Sequence, residues 1–195
     1  MPIIHFMAKP FYIVGIGASA GGLRALSEFF RSIPKSTPAA FVVITHLLRE
    51  NYSQLANLLI PHSTLPVIRV ESDLELKPGH IYVLIENTTL TVKDGWLKIA
   101  DRDRRIMNDA VDLFFKSLAT EYKERAIGII LSGGGKDGLA GALQLNLSGG
   151  TMMVQTPLSA DFVGMPESII NHDHPLAVLN PTALAEKVIE LLSKA

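Results

Sequence analysis

The chain has 195 residues, 48% of them hydrophobic and 19% charged, which fits one packed domain of ordinary size and excludes a disordered or coiled-coil protein. A formal charge of −1 without a long basic run leaves no phosphate-neutralising stripe for nucleic acid, and the absence of cysteine rules out a disulfide framework, a thiolate zinc site and a cysteine nucleophile. No segment reaches the roughly 18 to 20 uninterrupted apolar residues of a bilayer span and the N-terminus lacks a secretory pattern, so a cytoplasmic protein with no membrane insertion is expected.

Residues 1–10 read as a leader and residues 11–195 as a single domain. Phe11-Tyr12-Ile13-Val14 is a short apolar run followed by glycines and then by Leu23, Leu26, Phe29 and Phe30 at the spacing of one helix face, which predicts strand, tight turn, helix. Ala40 to Ile44 has the continuous apolar character of a strand buried on both faces, and Ser53 to Leu59 suits a helix. After Val67 to Val70 and Ile81 to Ile85, the Asp94-Gly95 pair between Leu90–Lys93 and Trp96–Ile99 predicts an antiparallel hairpin. Arg102-Asp103-Arg104-Arg105 reads as a solvated loop.

Asp109 is placed to cap a helix whose buried stripe is Val111, Phe114, Phe115 and Leu118. Ala126 to Leu131 follows as a buried strand, Ser132 to Asp137 as a turn, and Leu139 to Leu147 as a helix. Thr151 to Gln155 reads as a strand, Pro166 to Ile170 as a helical turn, and Asn180-Pro181 as the cap and first residue of the last helix. Strands alternating with helices imply a doubly wound, mostly parallel α/β sheet of Rossmann-like type, helices on both faces, with an added antiparallel β-hairpin. Sites in such sheets form beyond the carboxyl ends of the strands, and Ser19, His46 and Asp137 each follow such an end.

Gly17-Ala18-Ser19-Ala20-Gly21 has the G-x-S-x-G pattern, in which small flanking residues let a strand-to-helix turn expose a serine hydroxyl. Amides at the start of the following helix can then stabilise an oxyanion. A second reading makes Gly15, Gly17, Gly21 and Gly22 a phosphate-cradling loop with Ser19 as a helix cap. Against it, the third glycine is missing from its usual place, and Thr45-His46 occupies the next strand end where a dinucleotide site would carry an acid. His46 can act as general base on Ser19, or be a buried core histidine. Asp137, in a glycine-rich turn, can hold that imidazole in one tautomer, or serve only as a helix cap. His172-Asp173-His174 is read as a solvated loop rather than a metal site, although either histidine could replace His46 as base.

Taken together, Val14-Gly-Ile-Gly-Ala-Ser-Ala-Gly-Gly22, Thr45-His46, Pro78-Gly79-His80-Ile81-Tyr82, Val111-Asp112-Leu113-Phe114, the run Ala126 to Gly138 and Gly164-Met165-Pro166 closely resemble the catalytic domain of chemotaxis (CheB-type) protein-glutamate methylesterases, in order over nearly the whole chain. The resemblance implies a catalytic set Ser19, His46 and Asp137, with backbone amides of Ala20 and Gly134 as oxyanion donors where many members carry threonine and methionine. It further implies hydrolysis of glutamyl methyl esters on the cytoplasmic helices of methylated chemoreceptors, with deamidation of receptor glutamines as a related activity, and no metal or organic cofactor. Thr45 stands where glutamine is frequent, Glu167 where a basic residue is common and Asn87 where prolines are usual, departures that bear on substrate choice.

Such enzymes usually carry an N-terminal receiver domain, and only the short leader precedes the first strand here. The resemblance therefore implies either different regulation or one domain of a longer protein, and the Gly-Ala-Ser-Ala-Gly-Gly variant is similar to methylesterase domains joined to a receptor methyltransferase. The rivals are an ordinary α/β-hydrolase esterase, with Asp137 as acid and His172 or His174 as base, and a catalytically silent nucleotide- or partner-binding module.

Overall fold

The computed structural model describes residues 11–45, 53–103 and 109–194; the leader at 1–10, His46, and Arg104-Arg105 of the charged loop lie outside the described residues. Along the chain run β1 (Tyr12–Ala18), α1 (Gly22–Arg31), β2 (Ala39–Thr45), α2 (Leu55–Leu59), β3 (Val67–Arg69), β4 (Leu74–Glu75) and β5 (His80–Val83). They are followed by β6 (Thr88–Lys93), β7 (Trp96–Asp101), α3 (Ala110–Tyr122), β8 (Ala126–Ile130), α4 (Leu139–Leu147), β9 (Thr151–Gln155), α5 (Gly164–His172), β10 (Ala177–Leu179) and α6 (Pro181–Ser193).

Seven parallel strands form one sheet in the order β10-β9-β8-β1-β2-β5-β3, and β4, β7 and β6 form a small antiparallel sheet beside it. β2 is buried at every position, as its unbroken apolar run requires of a strand covered on both faces. Val14, Ile16 and Ala18 of β1 pack with Leu26, Phe29 and Phe30 of α1 and Leu184 and Val188 of α6. On the other face Ile13, Val42 and Ile44 pack with Val111, Phe114, Phe115 and Leu118 of α3 and with Leu90, Val92 and Leu97 of the small sheet.

β1 is longer than its apolar run, because Gly15 and Gly17 belong to the strand and not to the turn. Their role is close approach: a Cβ at Gly15 would stand 2.9 Å from Phe114 Cε1, and one at Gly17 would stand 2.6 Å from Val111 Cγ1. Gly128 on β8 is similarly covered, with Met152 Sδ 2.7 Å from a notional Cβ. Three glycines thus let α3 and its neighbours lie directly on the two central strands.

The hairpin turn has Asp94 at φ 50° and Gly95 at φ 83°, both left-handed, as a two-residue turn matched to strand twist requires. Asn180 caps α6 as expected, its Oδ1 accepting from Ala183 N–H at 2.9 Å. Asp109 makes no side-chain cap on α3, contrary to expectation; that function falls to a residue from another loop, described below.

Because β1 is flanked by β2 on one side and β8 on the other, the chain winds outward in both directions from this point. The crevice beyond the carboxyl ends of β1 and β8 is the topological switch point where ligands bind in open α/β sheets.

The tight seat of α3 sets a stability expectation. Gly15→Val should cost about 1–3 kcal/mol through overpacking against Phe114 and Phe115, read as a lower urea midpoint at unchanged slope; an unchanged midpoint would show that α3 shifts freely.

Candidate active site

Ser19 is the first residue beyond β1 and is half-buried. Its N–H donates to the Ser132 carbonyl at 2.9 Å, and its own carbonyl accepts from Gly22 N–H at 2.9 Å, which closes the turn into α1. Gly21 sits at φ +74°, where a Cβ would fall 2.6 Å from Ser132 Oγ and 2.7 Å from Asp161 Cβ, so the turn demands glycine both for its backbone angle and for space.

Ser132 and Gln155, each 1% exposed, join three loops behind the Ser19 turn. Ser132 Oγ donates to Ala20 O at 2.8 Å and accepts from Phe162 N–H at 3.0 Å. Ser132 N–H donates to Gln155 Oε1 at 2.8 Å, while Gln155 Nε2 donates to Ser159 O at 2.9 Å. Gly133 presses against the serine: a Cβ there would stand 3.1 Å from Ser19 Cβ and collide with Met165 Sδ. Met165 N–H in turn donates to Gly133 O at 2.8 Å. Ala20 and Gly134 are exposed, and their amides have no hydrogen-bond acceptor among the described residues.

Asp137 is buried at 7% exposure at the end of the same glycine-rich loop. Its Oδ2 accepts from Val111 N–H at 3.0 Å and its Oδ1 from Asp112 N–H at 2.9 Å, so it caps α3, the helix that Asp109 leaves uncapped. Asp112 answers from α3: its Oδ1 accepts from Gly138 N–H at 3.1 Å and Gly141 N–H at 2.7 Å at the start of α4. Burial raises the Asp112 carboxyl above its ordinary value; the Gly141 amide pulls it down, and the nearby charge of Asp137 adds to the rise.

His46 lies outside the described residues, and Thr45 and Ser53 are the described residues on either side of its segment. Thr45 is the register partner of Ala18, so the chain leaves β2 beside the strand end that delivers Ser19. Ser53, at the other end, donates its N–H to Glu86 Oε2 at 3.1 Å and accepts on its carbonyl from Arg69 Nη1 at 2.7 Å. Arg69 and Glu86 also pair at 3.4 Å. Burial pushes the Glu86 carboxyl up, but hydrogen bonds from its own amide and that of Ser53, with the Arg69 guanidinium, hold it below the ordinary range. Asn87, next in sequence, has φ 57°, which a proline ring forbids.

The alternative base candidates sit elsewhere. α5 touches the loops at Ser19 through its first residues, Gly164 and Met165, and carries His172 at its other end, about 12 Å along the axis. His172 Nδ1 lies 2.9 Å from Ser168 O, Asp173 takes both of its oxygens to Asn146 Nδ2 at 2.8 Å, and His174 is exposed. Among the described residues no group of three or more His, Asp or Glu could hold a metal ion, and no helix is long and apolar enough to cross a membrane. The glycine-loop reading is corrected as well, since Gly15 and Gly17 are committed to the strand and to α3, leaving only Gly21 and Gly22 in the turn.

A doubly wound parallel α/β domain that presents a serine at a strand-to-helix turn, at the switch point of its sheet, is the class defined by this fold and site. The CheB methylesterase family model matches residues 14–188, and the chain belongs to that family. It is 35% identical over 92% of its length to a protein-glutamate methylesterase/protein-glutamine glutaminase of Thermotoga maritima, covering 54% of that protein. It is 28% identical to a putative protein-glutamate methylesterase/protein-glutamine glutaminase of Leptospira interrogans, covering 90% of this chain and 92% of that one. The crystal structure of the Thermotoga maritima CheB methylesterase catalytic domain superposes with a TM-score of 0.84 at 33% identity, covering 93% of this chain and 98% of that chain. The chain spans about half the length of the Thermotoga maritima relative and 49% of one from Myxococcus xanthus.

Two measurements probe this geometry. Gly133→Ala, which forces Met165 or Ser19 to move, should slow labelling of Ser19 by a serine-directed phosphonate probe about 100-fold with the circular dichroism preserved; undiminished labelling would mean that the contact does not constrain the serine. Because the Asp112 carboxyl is raised in the folded state, the fold binds its proton more tightly than the unfolded chain does. Its contribution to stability is full below the ordinary carboxylate value of about 3.9 and is lost as pH rises through the raised value. Denaturant titrations should therefore show wild type losing stability relative to Asp112→Asn as pH climbs from about 4; a pH-independent difference would contradict this.

Proposed function

We propose that this domain hydrolyses glutamyl methyl esters on the cytoplasmic helices of chemoreceptors, releasing methanol, with Ser19 as nucleophile, His46 as general base and acid, and Asp137 as the group that orients the imidazole. Family membership and the activities for which the Thermotoga maritima and Leptospira interrogans relatives are named support the substrate class. The observation that carries the reading is the pair of amides without an acceptor among the described residues at Ala20, which follows Ser19, and Gly134, which follows the Gly133 packed against it, while the Ser19 amide is already spent on Ser132.

A serine hydroxyl is a weak nucleophile near neutral pH and needs a base with a pKa of about 6.5 to take its proton as it attacks. Ser19 Oγ bonds to the side-chain carbonyl carbon, its proton passes to His46, and the carbonyl oxygen becomes an oxyanion facing the Ala20 and Gly134 amides. Losing one such donor costs roughly 3–4 kcal/mol of barrier. The imidazolium protonates the departing methoxide, giving methanol and an acyl-enzyme. Water, deprotonated by the same imidazole, then releases the glutamate and restores Ser19. Deamidation of a receptor glutamine follows the same path with ammonia as the leaving group. Neither half-reaction draws on a metal or organic cofactor, and a receptor's cytoplasmic helices require a cytoplasmic enzyme.

The coverage of the relatives supports a domain working within a longer protein, linked to a receptor methyltransferase or a receiver domain. A second partial match supports this too: 36% identity over 116 residues to a 104.1 kDa protein of Rhodobacter capsulatus, of which the chain covers 12%.

Methanol release from methylated chemoreceptor fragments tests the assignment. Ser19→Ala and His46→Ala should each reduce it by at least about 1,000-fold, whereas His172→Ala combined with His174→Ala should leave it within about twofold. Loss with the double variant and survival of His46→Ala would replace the base.

A further inference from the structure

A buried aspartate, Asp137, and a half-buried one, Asp112, reach past each other between the starts of α3 and α4. α3 has no side-chain cap of its own, and the cap position of α4 is Gly138, which has no side chain. Each helix takes its capping carboxylate from the other: Asp137 receives Val111 and Asp112 amides at 3.0 and 2.9 Å, and Asp112 receives Gly138 and Gly141 amides at 3.1 and 2.7 Å. Gly141 allows this approach, since a Cβ there would stand 2.5 Å from Phe115 Cβ and 3.0 Å from Asp112 O.

We propose that Asp112 is a positioning residue for Asp137, holding by reciprocal capping the loop that aims the acid of the catalytic set. The inference rests on the reading of Asp137 as that acid. The Gly138 N–H gripped by Asp112 belongs to the peptide that leaves Asp137, so the contact fixes the backbone at the acid itself. The loop needs such a grip: it contains Gly133, Gly134, Gly135 and Gly138, with Gly135 and Gly138 at φ 78° and 100°. Lys116, one turn along α3, is the nearby cation that lowers the Asp112 carboxyl, and Asp137 is the nearby anion. Two like charges this close would repel, but the four amides and the positive ends of two helices face them. The arrangement keeps a carboxylate pair that a purely structural contact between α3 and α4 would not require.

Both bonds from α4 end on the same oxygen, Asp112 Oδ1, so an asparagine can replace the aspartate as acceptor while an alanine cannot. Steady-state methanol release from a helical peptide carrying a glutamate γ-methyl ester, measured on the whole chain well below each variant's melting temperature, separates the cases. Asp112→Ala should lower kcat about 100-fold at nearly unchanged KM, and Asp112→Asn should restore kcat to within about fivefold of wild type. The acid limb of the kcat/KM profile of Asp112→Asn should move to lower pH, because one anion near the imidazolium's partner is gone. If Asp112→Ala does not fold, Asp112→Glu, which keeps the charge and displaces the acceptor by one methylene, takes its place with the same expected loss. Wild-type kcat in Asp112→Ala or Asp112→Glu, or an Asp112→Asn as impaired as Asp112→Ala, overturns the proposal. Asp137→Ala serves as the reference: if that variant retains full activity, it is the assignment of the acid that fails.

Discussion

The hydrogen bond from the Ser19 amide to the Ser132 carbonyl continues the pairing of β1 with β8 one step past the edge of the sheet. It consumes the serine's own N–H, while the amides of Ala20 and Gly134 have no hydrogen-bond acceptor among the described residues. Every other polar group of Ser132 is also committed, its amide to Gln155 and its hydroxyl to Ala20 and Phe162. Each such bond contributes on the order of 1 kcal/mol net, but leaving a buried partner unpaired costs about 1–3 kcal/mol. The Ser19 turn is therefore held by the penalty for breaking any one link of a closed network.

The second constraint comes from the other face of the sheet. Glycines at 15, 17 and 128 bring α3 down onto β1 and β8, and this seat puts the first amides of α3 within reach of Asp137. Core packing and site geometry are one problem here: a residue that raised α3 off the strand would also withdraw the donors from the acid. The aromatic triad of Phe29, Phe30 and Phe41, with edge-to-face ring centroids 5.2 to 6.2 Å apart, stiffens the opposite layer under α1.

Much of this was legible in the residues, and the parts that were not have physical reasons. The apolar runs of β2 and β8, the amphipathic spacing of α1 and α3, the Asp94-Gly95 turn and the Asn180-Pro181 start of α6 each carry a local signal that tertiary contacts did not override. The two-residue β4 and the three-residue β10 are too short to show a period, and both owe their conformation to a neighbouring strand. Gly15 and Gly17 looked like turn residues because a sequence cannot display the helix that will lie on them. Ser19 and Asp137 were readable as candidates from their motifs. The Ser132–Gln155 network and the Asp112–Asp137 exchange were not, since each joins polar residues far apart in sequence; the only signal was a polar residue at the end of a buried strand, as Gln155 is. Asp109 was the nearer and more obvious cap for α3, and the more distant Asp137 took the place.

The pairing of β1 with β8 also carries a consequence for the order in which the molecule is made. The strand that delivers Ser19 is made well before one of its two neighbours, β8, and before the carbonyl that fixes its turn. Closing so long a loop must precede the contacts that reward it. A nascent or truncated polypeptide that ends before β8 holds Ser19 without the Ser132 carbonyl that clamps its turn. In this topology the Ser19 turn is complete only when the far half of the sheet has docked.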